Sequence, residues 1–121
     1  MLNFYFLKKT KEYLTISHKG KTYKSSLLVT KYSDKKLLKP DSYKDNLPVF
    51  GITISKKIGK ANVRNLLKRR IKAILNQTEF SDNLKKSAIS FYARIPAANA
   101  SFVELKKEVD KILKNVKKPS E

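Results

Sequence analysis

Cysteine is absent from the 121 residues and histidine occurs once. Without cysteine there is no disulfide framework and no thiolate zinc site, and a lone imidazole, His18, cannot assemble a metal cluster. A reducing, cytoplasmic setting fits. Acidic residues are scarce as well: 10 Asp and Glu stand against 28 Lys and Arg, a formal net charge of +18. An autonomous nuclease needs clustered acids or a histidine pair for metal or general acid-base work, and the sequence offers only an unsupported His18, expected at the surface near a helix end. No catalytic and no metal-ligating residue is therefore assigned. Long apolar runs are missing too. Residues 1–7, MLNFYFL, are too short to cross a bilayer, and Lys8 and Lys9 follow them, whereas a signal peptide carries its charge in front. They are expected to form an arm packing its aromatics on the body. A cationic membrane-surface protein would show one amphipathic helix and little else, so no membrane partner is expected.

The apolar fraction of 40%, with six Tyr and six Phe, argues for a folded chain rather than a disordered basic tail. The length suits one domain over residues 1–116, with 117–121 a frayed basic tail. Nucleic acid is the default partner for so positive a field.

The charge concentrates in residues 56–72, KKIGKANVRNLLKRRIK, where eight of seventeen residues are Lys or Arg and none is acidic. Apolar side chains nevertheless recur there at helical spacing. Val63, Leu66, Leu67, Ile71, Ile74 and Leu75 fit one buried stripe, with Arg64, Asn65, Lys68, Arg69 and Lys72 pointing outward beside it. A merely solvated helix alternates Glu with Lys to gain i,i+4 pairing. Like charges at that spacing instead cost about 0.2–0.5 kcal/mol each. A polyanion outside the chain explains this face better than solvent does.

Along the chain, Thr10 is placed to cap a short helix to about His18, with Gly20 as its left-handed stop and Tyr13, Leu14 and Ile16 as apolar contacts. Residues 22–32 look β-like, as one long or two broken strands. Residues 33–48 carry Asp34, Pro40, Asp41, Ser42, Asp45, Asn46 and Pro48, and read as a long exposed loop, the segment most expected to move. Residues 49–55 alternate as a strand that runs into Lys56 and Lys57. A turn at Gly59 then delivers the basic helix, whose amino end would offer N–H groups to a phosphate. After a polar break over 77–86, residues 88–95 return to strand spacing until Pro96. Ser101 and Glu104 make a capping box before an amphipathic helix to about Asn115. The order α-β-β(-β)-α-β-α predicts an α+β two-layer domain with a mixed three- to four-stranded sheet.

The stretch GITISKKIGKANVRN followed by LLKR, residues 51–69, resembles the signature of the bacterial ribonuclease P protein subunit. The flanks agree: Leu7-Lys8-Lys9 before a short helix ending at Gly20 is similar to that family's start, and Ala93-Arg94-Ile95-Pro96-Ala97 before a capped helix is similar to its end. The resemblance covers nearly the whole chain. It implies a monomeric, noncatalytic partner of a catalytic RNA that removes the 5′ leader from precursor tRNA, the magnesium ions being held mainly by the RNA and no cofactor by the protein alone. It also implies a ribosomal-protein-domain-2-like fold whose two parallel strands are joined by a left-handed βαβ crossover, against the usual hand. Carried over by motif, Lys56, Lys57, Lys60, Arg64, Asn65, Lys68, Arg69 and Lys72 would face the catalytic RNA. Tyr13, Lys31, Tyr32, Ser55 and Arg94 are candidates for a cleft that holds the leader between the first helix and the sheet. Tyr13 fits an ordinary amphipathic core position equally well.

Four positions depart from the family pattern. Leu66 stands where a third basic residue usually follows Arg-Asn, while Arg70 stands where an apolar residue is common, so Arg70 is expected to carry that charge one turn later. Ser17 replaces an aromatic one turn after Tyr13, a place that Phe4, Tyr5 or Phe6 could fill instead. Phe6 itself occupies a commonly basic position. A structural, ribosomal-type RNA-binding protein would explain the charge, but not a Lys-Lys-Ile-Gly turn feeding Arg-Asn. The electrostatic reading predicts that RNA affinity falls by about 0.7–0.9 log units per log unit of salt for each phosphate neutralised, measured by salt titration of binding; a flat response would contradict it.

Overall fold

Alternation along two central strands decides where the helices lie. In the computed structural model, which describes residues 3–38, 43 and 46–116, the chain runs β1 (Tyr5–Phe6), α1 (Thr10–Lys19), β2 (Lys21–Lys24), β3 (Leu28–Asp34), β4 (Val49–Thr53), α2 (Ala61–Asn76), α3 (Asp82–Lys85), β5 (Ser87–Ala93) and α4 (Phe102–Asn115). Short 3-10 turns occupy Lys35–Leu37, Lys56–Ile58 and Ile95–Asn99. The sheet order is β1-β4-β5-β3-β2. Strand β4 is parallel to both β1 and β5, while β3 is antiparallel to β5 and to β2.

Successive strand residues point to opposite faces. Phe50, Ile89 and Phe91 therefore join Leu67, Ile71 and Leu75 of α2 and Leu105, Val109 and Ile112 of α4 in the main core. Val49 and Ala88, one residue away, join Ile16 of α1 with Leu7, Leu38 and Tyr43 in a smaller core on the other face. The sheet is thus covered on one face by α2 and α4 and partly on the other by α1.

Five strands stand where three or four were expected, and the reason is backbone pairing at both edges. The N-terminal arm does not merely pack: Tyr5 N–H donates to the Pro48 carbonyl and Leu7 N–H to the Phe50 carbonyl, both at 2.9 Å. Its Phe4 sits edge-on to Phe50 and Phe80. Residues 22–32 divide into β2 and β3, turning where the Ser25 hydroxyl donates to the Leu28 carbonyl at 2.8 Å. The expected polar break holds α3, capped by the Ser81 hydroxyl and anchored by buried Leu84. Strand β5 ends at Ala93, so Ile95 lies beyond it, 65% exposed, in the turn that Pro96 opens. The capping box of α4 forms as expected, with Glu104 N–H donating to Ser101 Oγ and Ser101 N–H to the Glu104 carboxylate.

Residues 33–48 are not simply an exposed loop: β3 continues to Asp34, and Leu38 and Tyr43 are buried. Residues 39–42 and 44–45 of that loop, and the expected tail 117–121, lie outside the described residues.

Helix α1 differs from expectation at both ends. Thr10 is its first residue rather than its cap, and the buried Glu12 takes over, its Oε1 accepting the N–H groups of Lys8 and Lys9 at 3.0 Å each. Gly20 is not left-handed, with φ at −92°. Its lack of a side chain is needed for close approach, since a Cβ there would lie 2.3 Å from the Tyr32 carbonyl oxygen and 2.5 Å from that of Ile16. Leu14 is 52% exposed, leaving Ile16 and Tyr13 as the contacts of the apolar face.

Tyr43 donates to the same Glu12 oxygen at 2.8 Å. Burial, together with the hydrogen bond and charge of Glu12, pushes its phenol from 10.0 up to about 12. A folded-state value above the unfolded one favours the native state below the unfolded value, and that advantage is lost as pH rises through the folded value. Urea denaturation should therefore show stability falling between about pH 10 and 12, with a shallower fall in Tyr43→Phe; equal slopes would refute the linkage.

Candidate nucleic-acid interface

Strand β4 hands the chain to the basic segment through the turn Lys56–Ile58 and Gly59. Ile58 is buried and pins the turn to the core, while Lys56 and Lys57 stay exposed. Gly59 adopts φ 157° and ψ −169°, a conformation kept almost entirely by glycine. Arg64, one turn into α2, donates from Nε to the Gly59 carbonyl at 3.2 Å and closes the corner. The helix then starts at Ala61, with Lys60 at the N-cap position and no side-chain cap.

On α2 the buried residues are Leu67, Ile71, Ile74 and Leu75. Leu66 does not belong to the stripe and is 40% exposed. At 100° per residue it stands roughly 120° from the stripe's centre, a displacement that i,i+3 spacing from Val63 disguises. Asn62, Asn65, Lys68, Arg69 and Lys72 line one shallow depression of about 510 Å³ on the outward face. Among the described residues, none of the basic side chains of 56–72 has a carboxylate within 4.0 Å. The depression gathers four of the eight motif residues assigned to RNA. Lys56, Lys57 and Lys60 stand at the turn and helix start, and Arg64 is turned back toward Gly59.

The second group lies across the sheet. Tyr13 of α1 rests over β4 at Gly51, where an added Cβ would come within 2.5 Å of the Tyr13 ring and 2.6 Å of Leu7. Burial raises the Tyr13 phenol above its ordinary value, opposed by a hydrogen bond from the Ile52 backbone. Lys31 reaches across the same face, donating from Nζ to Ser17 Oγ at 2.9 Å and lying 5.5 Å from the centre of the Tyr92 ring. Tyr32 does not share this face. It neighbours Lys31 in β3, points to the opposite side, and is buried in the main core at 7% exposure, which removes it from the cleft. Ser55 and Arg94 each follow the Thr53–Tyr92 pair by two residues, at the same end of the sheet. The Arg94 guanidinium is engaged there by the Ser25 carbonyl at 2.8 Å. Sequence reasoning missed Tyr92, whose only signal was its place between Phe91 and Ala93 on the alternate face of β5.

A family model described as Ribonuclease P matches residues 1–117. The chain belongs to the ribonuclease P protein family. The ribonuclease P protein component of Clostridium kluyveri is 31% identical over 117 residues, 93% of this chain and 95% of that protein. That of Carboxydothermus hydrogenoformans is 45% identical over 75 residues, 62% of this chain and 60% of that protein. The solved structure of the Staphylococcus aureus RNase P protein matches with a TM-score of 0.77 over 95% of this chain and 97% of that one; at 24% identity it speaks for the fold. Among the described residues no helix is long and apolar enough to cross a membrane, and no three His, Cys, Asp or Glu residues gather as a metal site.

The departures from the ribonuclease P protein pattern now have physical descriptions. Phe6, at a commonly basic position, lies 4.9 Å under the Lys72 ammonium, so a cation on α2 takes up that space. Phe4 and Phe6 pack with the main core on the opposite face and so do not take the place of an aromatic at position 17, whereas Tyr5 packs against Tyr43 and shares the smaller core with Tyr13. Arg70 does not simply inherit the charge missing at Leu66: its Nη1 donates to the Ala100 carbonyl at 3.0 Å, tying α2 to the turn before α4. Arg70→Ala is expected to lower stability by about 1.5–3 kcal/mol in urea denaturation. Lys68→Ala, with no such bond, should leave stability within about 0.5 kcal/mol. Equal effects would remove the distinction.

Proposed function

We propose that this protein is the noncatalytic protein component of a ribonuclease P ribonucleoprotein, acting in the cytoplasm in the 5′ maturation of tRNA. The basic face of α2 and the Gly59 corner bind the catalytic RNA. The α1 face of the sheet, with Tyr13, Lys31, Ser55 and Arg94, receives the single-stranded 5′ leader of precursor tRNA. The observation that carries the reading is the depression of Asn62, Asn65, Lys68, Arg69 and Lys72, where three cations without acidic partners among the described residues converge beside two amides. Lys and Arg neutralise phosphates, and Asn65 supplies both a donor and an acceptor. The protein acts as a monomer, and the magnesium ions required for cleavage belong to the RNA.

Electrostatics also explains how so small a protein could help an RNA catalyst. A charge of +18 offsets repulsion between two polyanions, the catalytic RNA and its substrate, which otherwise falls to magnesium. Reconstitution tests this directly. The protein alone should not cleave precursor tRNA, and adding it to the catalytic RNA should lower the magnesium concentration needed for cleavage. Cleavage by the protein alone would overturn the assignment, and RNA binding without any effect on cleavage would return the protein to a structural RNA-binding role. The double variant Lys68→Ala, Arg69→Ala should reduce the salt slope of RNA binding by about 1.4–1.8, two phosphate contacts' worth. An unchanged slope would exclude this face from the interface.

A further inference from the structure

We propose that Tyr92, held in place with Lys31 and Ser17, supplies a second stacking surface beside Tyr13 and takes one unpaired leader nucleotide, its base on the ring and its phosphate at the Lys31 ammonium. The inference rests on the leader reading above and adds the residue that does the gripping.

The first observation is where Tyr92 sits. On the α1 face of β5, Ala88 and Ser90 are fully buried, whereas Tyr92 is only half-buried, so the covering of this face ends at its ring. Its cross-strand neighbours are Val29 of β3 and Thr53 of β4, side chains too short to lid an aromatic ring. Its hydroxyl makes no hydrogen bond among the described residues. A half-buried tyrosine of this kind keeps an apolar ring and a free hydroxyl at the surface, where a ligand can meet both.

The second observation is the cation beside it. Lys31 pairs with no carboxylate among the described residues. A hydrogen bond to Ser17 and the face of the Tyr92 ring hold it instead. Its position is therefore fixed while its charge remains available to an anion. An aromatic ring with an ammonium held 5.5 Å from its centre offers neighbouring partners to the two parts of a nucleotide, a flat base and a phosphate.

The third observation is continuity. Tyr13 rests over Gly51 and Tyr92 pairs with Thr53, two residues further along the same face of β4, so the two rings border one strip of sheet. Ser17 gains a reason too: the small side chain, where the family tends to carry an aromatic, leaves Lys31 room to cross from β3 to Tyr92. The aromatic missing from α1 is replaced by one on β5. Stacking of this kind senses the presence and size of a base rather than its hydrogen-bonding edge, so the strip would accept varied leader sequences.

A cycle of substitutions in the assembled holoenzyme tests this. Precursor tRNAs carrying one abasic nucleotide at successive leader positions are bound to the holoenzyme with wild-type protein, Tyr92→Leu or Tyr92→Phe. In the wild type, one position should lose about tenfold in affinity on becoming abasic. In Tyr92→Leu that loss should vanish, with affinity for leaderless mature tRNA unchanged; in Tyr92→Phe, which keeps the ring, it should persist. If the abasic loss survives unchanged in Tyr92→Leu, the leader reading stands and the Tyr92 assignment falls. Tyr92→Phe abolishing the loss as fully as Tyr92→Leu would overturn a stacking role. If no leader position responds in the wild-type holoenzyme, the leader reading itself fails and Tyr92 falls with it.

Discussion

Parallel pairing of β4 with β5 is the constraint on which the rest of the molecule depends. Two parallel neighbours need a crossover, and here the crossover carries the basic segment: β4 ends at Thr53, the Gly59 corner follows, and α2 crosses back to the start of β5. The same pairing ends at Thr53 and Tyr92, and Ser55 and Arg94 follow it at that end of the sheet. The cationic corner and Tyr92 therefore lie toward the same end of the sheet. Open α/β sheets characteristically bind ligands beyond the carboxyl ends of parallel strands.

The charge distribution follows a separate logic from the packing. Leu67, Ile71, Ile74 and Leu75 anchor α2 so firmly in the main core that its outer face can carry repelling cations without unfolding the helix. Burying four aliphatic side chains contributes on the order of 6–12 kcal/mol, against a few tenths for each like-charge pair. Acidic residues are spent elsewhere on structure: Glu12 caps α1, Glu104 caps α4, and Glu108 accepts from Leu27 N–H at 3.0 Å in the turn between β2 and β3. Among the described residues, the cations of α2 are left without acidic partners.

Much of this was legible in the order of residues. The basic helix, the strand before it, the capping box of α4 and the motif from Gly51 to Arg69 all rest on spacing or on local chemistry, which a linear chain displays. Leu66, Tyr32 and Arg70 were harder for one common reason. Each needed knowledge of which side of an element meets the core. Leu66 satisfied the helical spacing yet stands off the stripe. Tyr32 neighbours a cleft residue and so points away from it. Arg70 is claimed by a carbonyl thirty residues later in the chain. The arm's pairing as β1 was invisible as well, because two strand residues carry no periodicity.

By itself the sequence determined an uncompensated cationic helix on an α+β scaffold, because composition and periodicity survive without coordinates. Only the tertiary structure decided which of those cations converge, and that Tyr92, Lys31 and Ser17, from three separate elements, share one face. The physical reason is that strand register and helix rotation are set by long-range burial, so residues distant in sequence acquire a common surface only once both faces of the sheet are covered.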